Sequence, residues 1–288
     1  MKNILVTGAT GFMGGVVVKT LLKNISAEQI NVISRKEEKM AAIKAKGINT
    51  FIGSYEDANS LEKVMADVDT VLLISGGDQG DRMQEHKNVI DSAKKMGVKN
   101  IAYTSRALRD RTSLLNKLMQ DHFDTEDYIK KSGLNYTIFQ NALYMEFLQF
   151  FVNKENIEKG IFLPVGDGKV AFTLRADQAE AMANVLLNEA FENKTYQFTN
   201  NETYSFFDVA GILSKLTGKE IKYTPIELAT FEETMKQKGL PQPVINKMGG
   251  FLSDIKNSQE SVITSDLETK LGRKPTSLND GLKLLFEL

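Results

Sequence analysis

The sequence lacks cysteine altogether and contains only two histidines, His86 and His122, among its 288 residues. The absence of cysteine excludes disulfides, iron–sulfur clusters, thiolate zinc sites and cysteine nucleophiles. Two histidines are too few for a histidine-rich metal centre, so no metal site is predicted. Any chemistry is therefore expected from other side chains or from a bound organic molecule.

The sequence also lacks an excess of charge and a long apolar run. Its formal net charge is −1, so bulk electrostatics gives no attraction to nucleic acid or to an anionic membrane. The densest apolar run, residues 147–152, is much shorter than a membrane span and follows Glu146. The first residues do not resemble a secretory signal. We therefore predict a cytoplasmic protein that binds neither nucleic acid nor membrane.

Proline is absent from the first part of the chain, and all five prolines lie at or beyond Pro164. In the proline-free part, short apolar runs alternate with helical patterns, which favours an α/β fold with a doubly wound parallel sheet. After a first strand that begins at Ile4, the predicted strands are residues 30–33, 48–52, 70–74, 99–104 and 135–139. The predicted helices are residues 12–22, 37–45, 61–66, 81–96 and 114–131.

Three glycines spaced three apart, Gly8, Gly11 and Gly14, follow the first strand and open a helical pattern. The first allows a sharp turn, the second lets the backbone approach a pyrophosphate, and the third lets the helix pack closely on the strand. The helix N-terminus then offers free N–H groups and the positive end of its dipole to phosphates. The motif alone is modest evidence, but its context predicts a dinucleotide-binding Rossmann turn rather than an ordinary glycine turn.

The chain is predicted to divide into a Rossmann domain at residues 1–150 and a smaller, mostly helical C-terminal lobe at residues 151–288. Residues 177–188 have a helical pattern and residues 195–198 the pattern of a strand. Segment 171–200 is therefore expected to return to the main sheet, so the division is not expected to be clean.

The residues after the second predicted strand indicate which dinucleotide binds. NAD-binding folds usually carry Asp or Glu there, whereas this chain has Ser34, Arg35 and Lys36. An arginine can hold a 2′-phosphate through bidentate, charge-assisted hydrogen bonds, so Arg35 predicts NADP(H). The alternative is that Arg35 and Lys36 are a solvated pair of charges at a helix start. The small turn at residues 75–77 is predicted either to contact the same cofactor or to be a flexible loop.

Together these motifs identify a resemblance to the NmrA-like branch of the atypical short-chain dehydrogenases. The resemblance rests on the glycine turn, on Ser34-Arg35 and on residues 72–75, 86–90 and 97–105. It continues through residues 139–144, 166–169 and 173–177, so it covers nearly the whole chain in unchanged order. One departure is Gln140, where an arginine is expected in the relatives.

The resemblance implies an NADPH-binding Rossmann domain with a lobe that closes over a cleft. It places the cofactor against the glycine turn, the arginine after strand two, the turn after strand four, the loop after strand six and a later arginine. The cofactor-binding residues that it implies here are Gly8, Thr10, Gly11, Phe12, Met13, Gly14, Arg35, Ser75, Gly76, Gly77, Asn141, Ala142, Leu143, Tyr144 and Arg175.

Mainstream short-chain dehydrogenases carry a Tyr-x-x-x-Lys pair on the helix after strand five, and its tyrosine protonates the carbonyl that receives hydride. Here His122 takes the lysine position and Leu118 the tyrosine position, so the pair is absent. A positioned acid typically accelerates such a reaction about 10²–10⁴-fold. Reduction of a quinone or a cationic dye needs the acid less, because hydride arrival gives a delocalised anion or a neutral product.

Few other groups remain to act in catalysis. Tyr103 and Ser105 end strand five beside the expected nicotinamide, but Tyr103 could instead face the core and Ser105 could be only a cap. His122 could hydrogen-bond the nicotinamide ribose, or be a partly exposed helix residue. Tyr144 and Phe147 could form the wall of a slot for an aromatic acceptor, or pack in the core of the lobe.

Three arginines, Arg106, Arg109 and Arg111, crowd the predicted loop after strand five. They are expected either to form a solvated, flexible lid or to attract anionic acceptors and phosphates. His86 is expected to be structural.

The predicted function is an NADPH-dependent oxidoreductase that passes hydride to a quinone or a similar electron-poor aromatic acceptor. One alternative is a non-enzymatic NADP(H)-binding redox sensor of the NmrA type, which the absent acid pair fits equally well. Another is a triphenylmethane dye reductase, which differs only in the acceptor. A monomer or a homodimer is expected.

Overall fold

Short buried strands alternate with helices in the computed structural model, which describes residues 3–77, 80–116, 119–152, 154–188 and 191–288. The strands are β1 Ile4–Val6, β2 Ile30–Ser34, β3 Asn49–Ile52, β4 Thr70–Leu73, β5 Asn100–Arg106, β6 Asn135–Asn141, β7 Ile161–Leu163, β8 Lys194–Phe198 and β9 Tyr223–Pro225. The α-helices are α1 Phe12–Leu21, α2 Ala41–Lys44, α3 Ala58–Met65, α4 Arg82–Lys95, α5 Gln120–Ser132, α6 Leu148–Phe151, α7 Arg175–Asn188, α8 Phe206–Thr217, α9 Leu228–Gln237, α10 Gln242–Lys256, α11 Asp266–Leu271 and α12 Leu278–Phe286. Short 3₁₀-helices cover Ala27–Gln29, Glu37–Met40, Met145–Phe147 and Lys154–Lys159.

The central sheet has the strand order β3-β2-β1-β4-β5-β6-β8. The neighbouring pairs from β3 to β6 are parallel, with Ile4 of β1 in register with Ile30 on one side and Thr70 on the other. Every residue of β1 and β4 is buried, as expected for strands with helices on both faces. The predicted α/β class with a doubly wound parallel sheet is confirmed.

The strand order reverses between β1 and β4, and this reversal determines where a ligand can bind. Chain segments leave the carboxyl ends of these two strands in opposite directions, which opens a crevice between them. The turn that begins at Gly8 follows β1, and the turn at residues 75–77 follows β4. Two segments that the sequence singled out therefore meet at one edge of the sheet.

The described residues group into two compact units. The first comprises Met1–Arg106, Asp121–Asn141 and Ala176–Gln197, and the second comprises Ala107–Gln120, Ala142–Arg175 and Phe198–Leu288. The first unit thus takes in residues from both sides of position 150. The functional division into a cofactor domain and an acceptor lobe stays a prediction.

One core cluster of the first unit lies between the sheet and helices α3 and α4. Leu5, Val71 and Leu73 of the sheet contribute apolar side chains to it, and Val89 and Ile90 of α4 pack against them. These helix residues are completely buried, so the spacing of apolar residues along α4 determines which face meets the sheet. The tight packing holds the C-terminal ends of β1 and β4 in place, where the crevice opens.

In the second unit, the segment after β5 is a loop rather than the start of a helix. The carboxylate of Asp254 accepts the backbone N–H groups of Leu115 at 2.8 Å and of Asn116 at 2.9 Å. Gln259 accepts the N–H of Asp110 through its side chain at 2.9 Å. A helix predicted from residue 114 is therefore wrong at its start, because these two side chains hold the backbone in another conformation.

The second unit contains the parallel pair β7–β9 and helices α8 to α12. Its core includes Phe172 and Phe206, whose rings meet edge to face at 5.9 Å between centroids. The prediction of a mostly helical composition for this part of the chain agrees with these elements.

Candidate functional site

The turn after β1 has the backbone geometry that the spacing of its glycines predicts. Gly8 adopts a left-handed conformation with φ of +61°, and its carbonyl accepts the N–H of Gly11 at 2.9 Å. A Cβ atom on Gly14 would lie 2.4 Å from the Gly8 carbonyl oxygen, so no side chain fits there. Gly11 precedes α1 and offers no side-chain cap, and a helix N-terminus attracts anionic groups.

An open cavity of about 400 Å³ lies at the point where the strand order reverses. Its lining combines the ends of β1, β2, β3 and β4 with the first turn of α4. We call it the switch-point cavity, and its lining residues are Gly8, Thr10, Ile33, Ser34, Arg35, Gly53, Ser54, Tyr55, Glu56, Ile74, Ser75, Gly76, Gly77 and Glu85. Six predicted cofactor residues are in this lining: Gly8, Thr10, Arg35, Ser75, Gly76 and Gly77.

The other residues of the glycine turn do not line the cavity. Gly11 and Phe12 are exposed, with 55% of the Phe12 surface accessible. Met13 and Gly14 are buried at the start of α1. Their predicted contact with a cofactor stays a prediction.

Tyr55 is a lining residue that the sequence analysis missed. Its hydroxyl donates to Thr7 Oγ1 at 2.5 Å and lies 2.9 Å from the Ile74 carbonyl oxygen. Thr7 Oγ1 in turn accepts the Ile74 N–H at 2.9 Å. Burial raises the pKa of the Tyr55 phenol, so the hydroxyl stays protonated and continues to donate. Tyr55 thereby joins β1, β4 and the loop after β3 beneath the cavity.

The charges around the switch-point cavity are of both signs. Arg35 is exposed at the end of β2, and two carboxylates, Glu56 and Glu85, line the same cavity. Burial raises the pKa of Glu85, and the charge of Glu56 raises it further, whereas Arg35 and Arg82 act to lower it. The turn after β2 contains no carboxylate, but the fold brings two from other elements, which no local motif indicated.

Three consecutive residues of the turn after β4 are each held by a side chain. Thr104 Oγ1 accepts the N–H of Ser75 at 2.8 Å, and His86 Nε2 accepts the N–H of Gly76 at 3.1 Å. Arg82 Nε donates to the Gly77 carbonyl oxygen at 3.3 Å. The alternative of a free, flexible loop at residues 75–77 does not agree with these three contacts.

Tyr103 and His122, two of the predicted catalytic residues, are in contact. The Tyr103 hydroxyl lies 3.0 Å from His122 Nδ1. Tyr103 is completely buried in the core of the first unit, and His122 is 8% exposed, so His122 is not the partly exposed helix residue of the alternative. Burial lowers the pKa of His122 far below its usual range, with Arg82 and Arg106 adding to the effect, and burial raises the pKa of Tyr103. Both groups are therefore uncharged at neutral pH.

Ser105, the third predicted catalytic residue, donates its hydroxyl proton to a buried carboxylate. Its Oγ lies 2.6 Å from Glu126 Oε1, which also accepts Gln140 Nε2 at 2.9 Å. Lys130 Nζ lies 3.3 Å from the other oxygen of Glu126. Because a serine hydroxyl has one proton, Ser105 can only accept a further hydrogen bond in this arrangement. We call Tyr103, Ser105, His122, Glu126 and Gln140 the strand-end network.

Glu126 was missed from the sequence, although a signal for it existed. It follows His122 by four residues, which places both side chains on one face of α5. Gln140, where the relatives are expected to carry arginine, contacts Glu126 and also accepts Gln197 Nε2 at 3.1 Å. Arg106 is the last residue of β5 and is buried, so its placement in an exposed loop is wrong.

Asn141 ends β6, and its side-chain amide is completely buried. Among the described residues, neither its Oδ1 nor its Nδ2 has a hydrogen-bond partner. Buried polar groups in folded proteins nearly always have partners, and each exception needs an explanation. A bound molecule that accepts a hydrogen bond from Nδ2 and donates one to Oδ1 would explain this arrangement.

The remaining predicted residues belong to the second unit. Ala142 and Leu143 are buried, and the Ala142 N–H donates to the Phe198 carbonyl oxygen at 3.0 Å. The Arg175 guanidinium lies 4.8 Å from the centre of the half-buried Tyr144 ring. This cation–π contact orients the two predicted residues against each other.

Phe147 lies in an aromatic cluster of the second unit. Its ring meets Phe151 at 4.9 Å and Phe251 at 4.7 Å between centroids, in both cases edge to face. The centroid of the Phe150 ring lies 5.7 Å from that of Phe147, and Phe150 is 81% exposed. Phe147 is half-buried, so packing within the second unit accounts for part of its surface.

Two further findings concern the described part of the chain as a whole. It contains no group of three or more acidic or histidine side chains that could hold a metal ion. None of its helices combines the length and apolar character that a membrane span requires. Leu118, which occupies the tyrosine position of the absent acid pair, lies outside the described residues.

The strand order, the glycine turn and the cavity between β1 and β4 define a protein with a Rossmann-type dinucleotide-binding fold. Residues 1–282 match the NmrA-like family, and the chain belongs to that family.

Curated relatives and solved structures agree with this assignment. The chain is 33% identical to quinone oxidoreductase 2 of Escherichia coli over 289 residues, which cover 99% of both chains. The crystal structure of an E. coli NADPH-dependent quinone oxidoreductase complexed with NADPH is similar with a TM-score of 0.91, at 31% identity, over 98% of this chain and 99% of that one. Triphenylmethane reductase of Citrobacter sp., complexed with NADP(H), is similar with a TM-score of 0.89, at 33% identity, over the same shares of the two chains.

Proposed function

We propose that this chain is an NADPH-dependent oxidoreductase that transfers hydride to a quinone or a similar electron-poor aromatic acceptor. The observation that carries the proposal is the switch-point cavity, whose lining combines Gly8 and Thr10 of the glycine turn with Arg35 and the turn after β4. Relatives similar over nearly the whole chain are named as NADPH-dependent quinone oxidoreductases and are solved with NADPH. When bound, NADPH supplies the hydride.

The residues present fit an NADP(H) molecule. Gly8 and Gly11 have no side chains of their own, so a pyrophosphate can approach the backbone of the turn closely. Gly76 and Gly77 give the turn after β4 two positions without a side chain, and both line the cavity. The Asn141 amide, which has no hydrogen-bond partner among the described residues, matches a ligand with both donors and acceptors, such as a carboxamide.

Arg35 accounts for the choice of NADPH over NADH. Its guanidinium lies at the end of β2, where dinucleotide-binding folds hold the adenosine ribose. It is exposed and can donate two parallel hydrogen bonds to a 2′-phosphate.

The acceptor class follows from the chemistry of the strand-end network. Tyr103 and His122 are neutral and hydrogen-bonded to each other, and Ser105 donates to Glu126. These groups can orient a cofactor, but they present no exposed acid to a carbonyl. A quinone suits such a site, because it spreads the charge that hydride brings over its ring and second carbonyl.

The catalytic roles of His122, Tyr103 and Ser105, and the walls of the acceptor slot at Tyr144 and Phe147, remain part of the proposal. His122→Ala is expected to weaken NADPH binding or turnover, and unchanged kinetics in a folded variant would assign the residue to the core. The proposal also includes action in the cytoplasm as a monomer or homodimer.

The deciding experiment measures acceptor-dependent NADPH oxidation with a panel of quinones and cationic triphenylmethane dyes. Turnover with quinones supports the proposal. Turnover only with dyes would move the acceptor to the class named for the Citrobacter relative. Tight NADPH binding with no turnover on any acceptor would instead favour the NmrA-type sensor.

A further inference from the structure

His86 lies beneath the turn after β4 and does not line the switch-point cavity. It is completely buried on α4, and its ring meets Tyr103 edge to face at 5.3 Å between centroids. Its Nε2 accepts the N–H of Gly76 at 3.1 Å, and its Nδ1 lies 2.8 Å from Thr125 Oγ1. Both ring nitrogens are therefore engaged, one with the cavity lining and one with α5.

The partners of the ring determine where its proton lies. A backbone N–H can only donate, so Nε2 must be the unprotonated, accepting nitrogen. The Thr125 hydroxyl donates its single proton to the Asp121 carbonyl oxygen at 2.7 Å, so it accepts from Nδ1–H. The contacts thus define one tautomer, with the proton on Nδ1 and no charge on the ring.

The surrounding charges favour the same neutral form. Burial lowers the pKa of His86 to about 3, and the guanidinium of Arg82 on the same helix adds to the effect. On the facing elements, Tyr103 of β5 is protonated and His122 of α5 is neutral. The carboxylate oxygen Oδ2 of Asp121 on α5 lies 3.9 Å from Nη1 of Arg82. If Nε2 carried a proton, that proton would point at the amide hydrogen of Gly76, and the two would repel each other.

We propose that His86 is a positioning residue, whose Nε2 holds the Gly76 N–H and so keeps the turn after β4 in the conformation that binds the cofactor. Thr104 and Arg82 hold the two neighbouring residues of this turn, Ser75 and Gly77. His86 holds the central residue, and its loss leaves a backbone N–H without its acceptor. The effect on cofactor affinity rests on the proposed function, whereas the effect on the turn does not.

The test compares His86→Gln with His86→Met. Glutamine can place its amide oxygen near the position of Nε2, whereas methionine fills a similar volume without an acceptor. We expect His86→Met to raise the Kd for NADPH about tenfold, the usual effect of losing one hydrogen bond of this kind, and His86→Gln to stay within about threefold of wild type. The KM for the acceptor should not change in either variant.

Two measurements on the cofactor-free protein test the turn by itself. Nitrogen-15 NMR of the wild type should report a protonated Nδ1 and an unprotonated Nε2 for His86, unchanged from about pH 5 to about pH 9. Hydrogen exchange of the Gly76 amide should be slow in wild type and His86→Gln, and at least about tenfold faster in His86→Met.

The outcomes distinguish this inference from the proposed function. A proton on Nε2, or equal Gly76 exchange in the two variants, overturns the positioning role. A folded His86→Met variant with the wild-type Kd for NADPH overturns its effect on the cofactor. If the wild type binds no NADPH while the NMR and exchange results hold, the proposed function fails and the control of the turn by His86 stands.

Discussion

The switch-point cavity and the strand-end network lie in the same unit and use polar residues in opposite ways. At the cavity, Arg35 is exposed, and the carboxylates of Glu56 and Glu85 line the same opening. In the network, Ser105 and Gln140 donate to Glu126, and Tyr103 contacts His122. Exposed charged side chains mark the place for binding, whereas buried side chains that are hydrogen-bonded to each other contribute to stability and orientation.

This difference predicts that changes at the two regions separate into effects on ligand affinity and effects on folding. The two histidines are expected to differ in the same way. His122 contacts Tyr103 of the strand-end network, whereas His86 contacts the cavity lining at Gly76.

The largest expected effect is that of Gly14→Ala, which removes the close approach at the glycine turn. The new Cβ would lie 2.4 Å from the Gly8 carbonyl oxygen and 2.7 Å from the Ala9 Cα, so the backbone must move. We expect a loss of about 1–3 kcal/mol in the free energy of unfolding from overpacking. NADPH affinity should fall at least about 100-fold, because the amide groups of the turn lose their arrangement. Urea unfolding and fluorescence titration measure the two effects.

Gly15→Ala is the matched control on the same helix. Its Cβ would lie 3.7 Å from the Ala9 carbonyl oxygen, an ordinary contact. Alanine is the better helix former by about 1 kcal/mol, so this variant should be as stable as wild type or more stable. Similar losses in the two variants would show that the close approach at Gly14 is not the cause.

The second prediction concerns the acid sensitivity that the two buried histidines impose on folding. Folding lowers the pKa of both histidines, whereas a histidine in the unfolded chain has a pKa of about 6.5. Their stabilising contribution is therefore fully present above that pH and is lost as the pH falls. Each should reduce the free energy of unfolding by about 1.4 kcal/mol per pH unit below pH 6.

Urea unfolding from about pH 7.5 to about pH 5 measures this slope. His86→Gln and His122→Gln should each remove one histidine's share of the slope, whatever they do to stability at neutral pH. An unchanged slope in both variants would mean that the rings are protonated in the folded protein.

The third prediction isolates the phosphate contact at the cavity. Arg35→Ala should weaken NADPH binding about 10- to 100-fold, since hydrogen bonds to charged groups contribute about 1.5–3 kcal/mol. NADH carries no 2′-phosphate, so its Kd should change little. Lys36→Ala is the control, because Lys36 is an exposed neighbour outside the cavity lining. Equal losses for the two dinucleotides would contradict the role of Arg35 in cofactor choice.

The smallest expected effect is that of Glu85→Gln, which removes a negative charge from the cavity lining. We expect NADPH binding to tighten a few-fold at pH 7, as about 0.5–1 kcal/mol of repulsion between partly exposed charges disappears. In the wild type, the raised pKa means that Glu85 becomes neutral as the pH falls, so its repulsion is lost on the acid side.

The difference between wild type and Glu85→Gln should therefore shrink as the pH falls from 7 towards 5. Because protonation of the cofactor phosphate affects both proteins equally, the difference isolates Glu85. Weaker NADPH binding by the variant at every pH would instead mean that the Glu85 carboxylate accepts a hydrogen bond from the cofactor.

The α/β class and most element positions could be predicted from the sequence because they depend on local patterns. The apolar run of β4 and the face of α4 that carries Val89 and Ile90 are both periodic features. The helix predicted from residue 114 was wrong at its start because a distant residue decides that conformation. Asp254 accepts the N–H groups of Leu115 and Asn116 from well over 100 positions away along the chain.

Some residues of the candidate site could likewise be predicted from local sequence, and others could not. The places of Gly8, Thr10 and Arg35 at the cavity were predictable, because each residue comes directly after a strand of the parallel sheet. Tyr55, Glu56 and Glu85 carry no local motif. They reach the cavity because β3 pairs with β2 and because α4 follows the turn after β4. Ser105 was predicted as a catalytic residue, but the fold directs its hydroxyl proton to the Glu126 carboxylate.

By itself, the sequence determined a dinucleotide-binding turn and a preference for NADP(H), since glycine conformation and guanidinium chemistry are properties of single residues. The tertiary structure alone decided which polar groups remain open. Burial and long-range hydrogen bonds make His86 and His122 neutral, use the proton of Ser105 and leave the Asn141 amide without a partner among the described residues. Such states depend on neighbours from other elements, and those neighbours exist only in the folded chain.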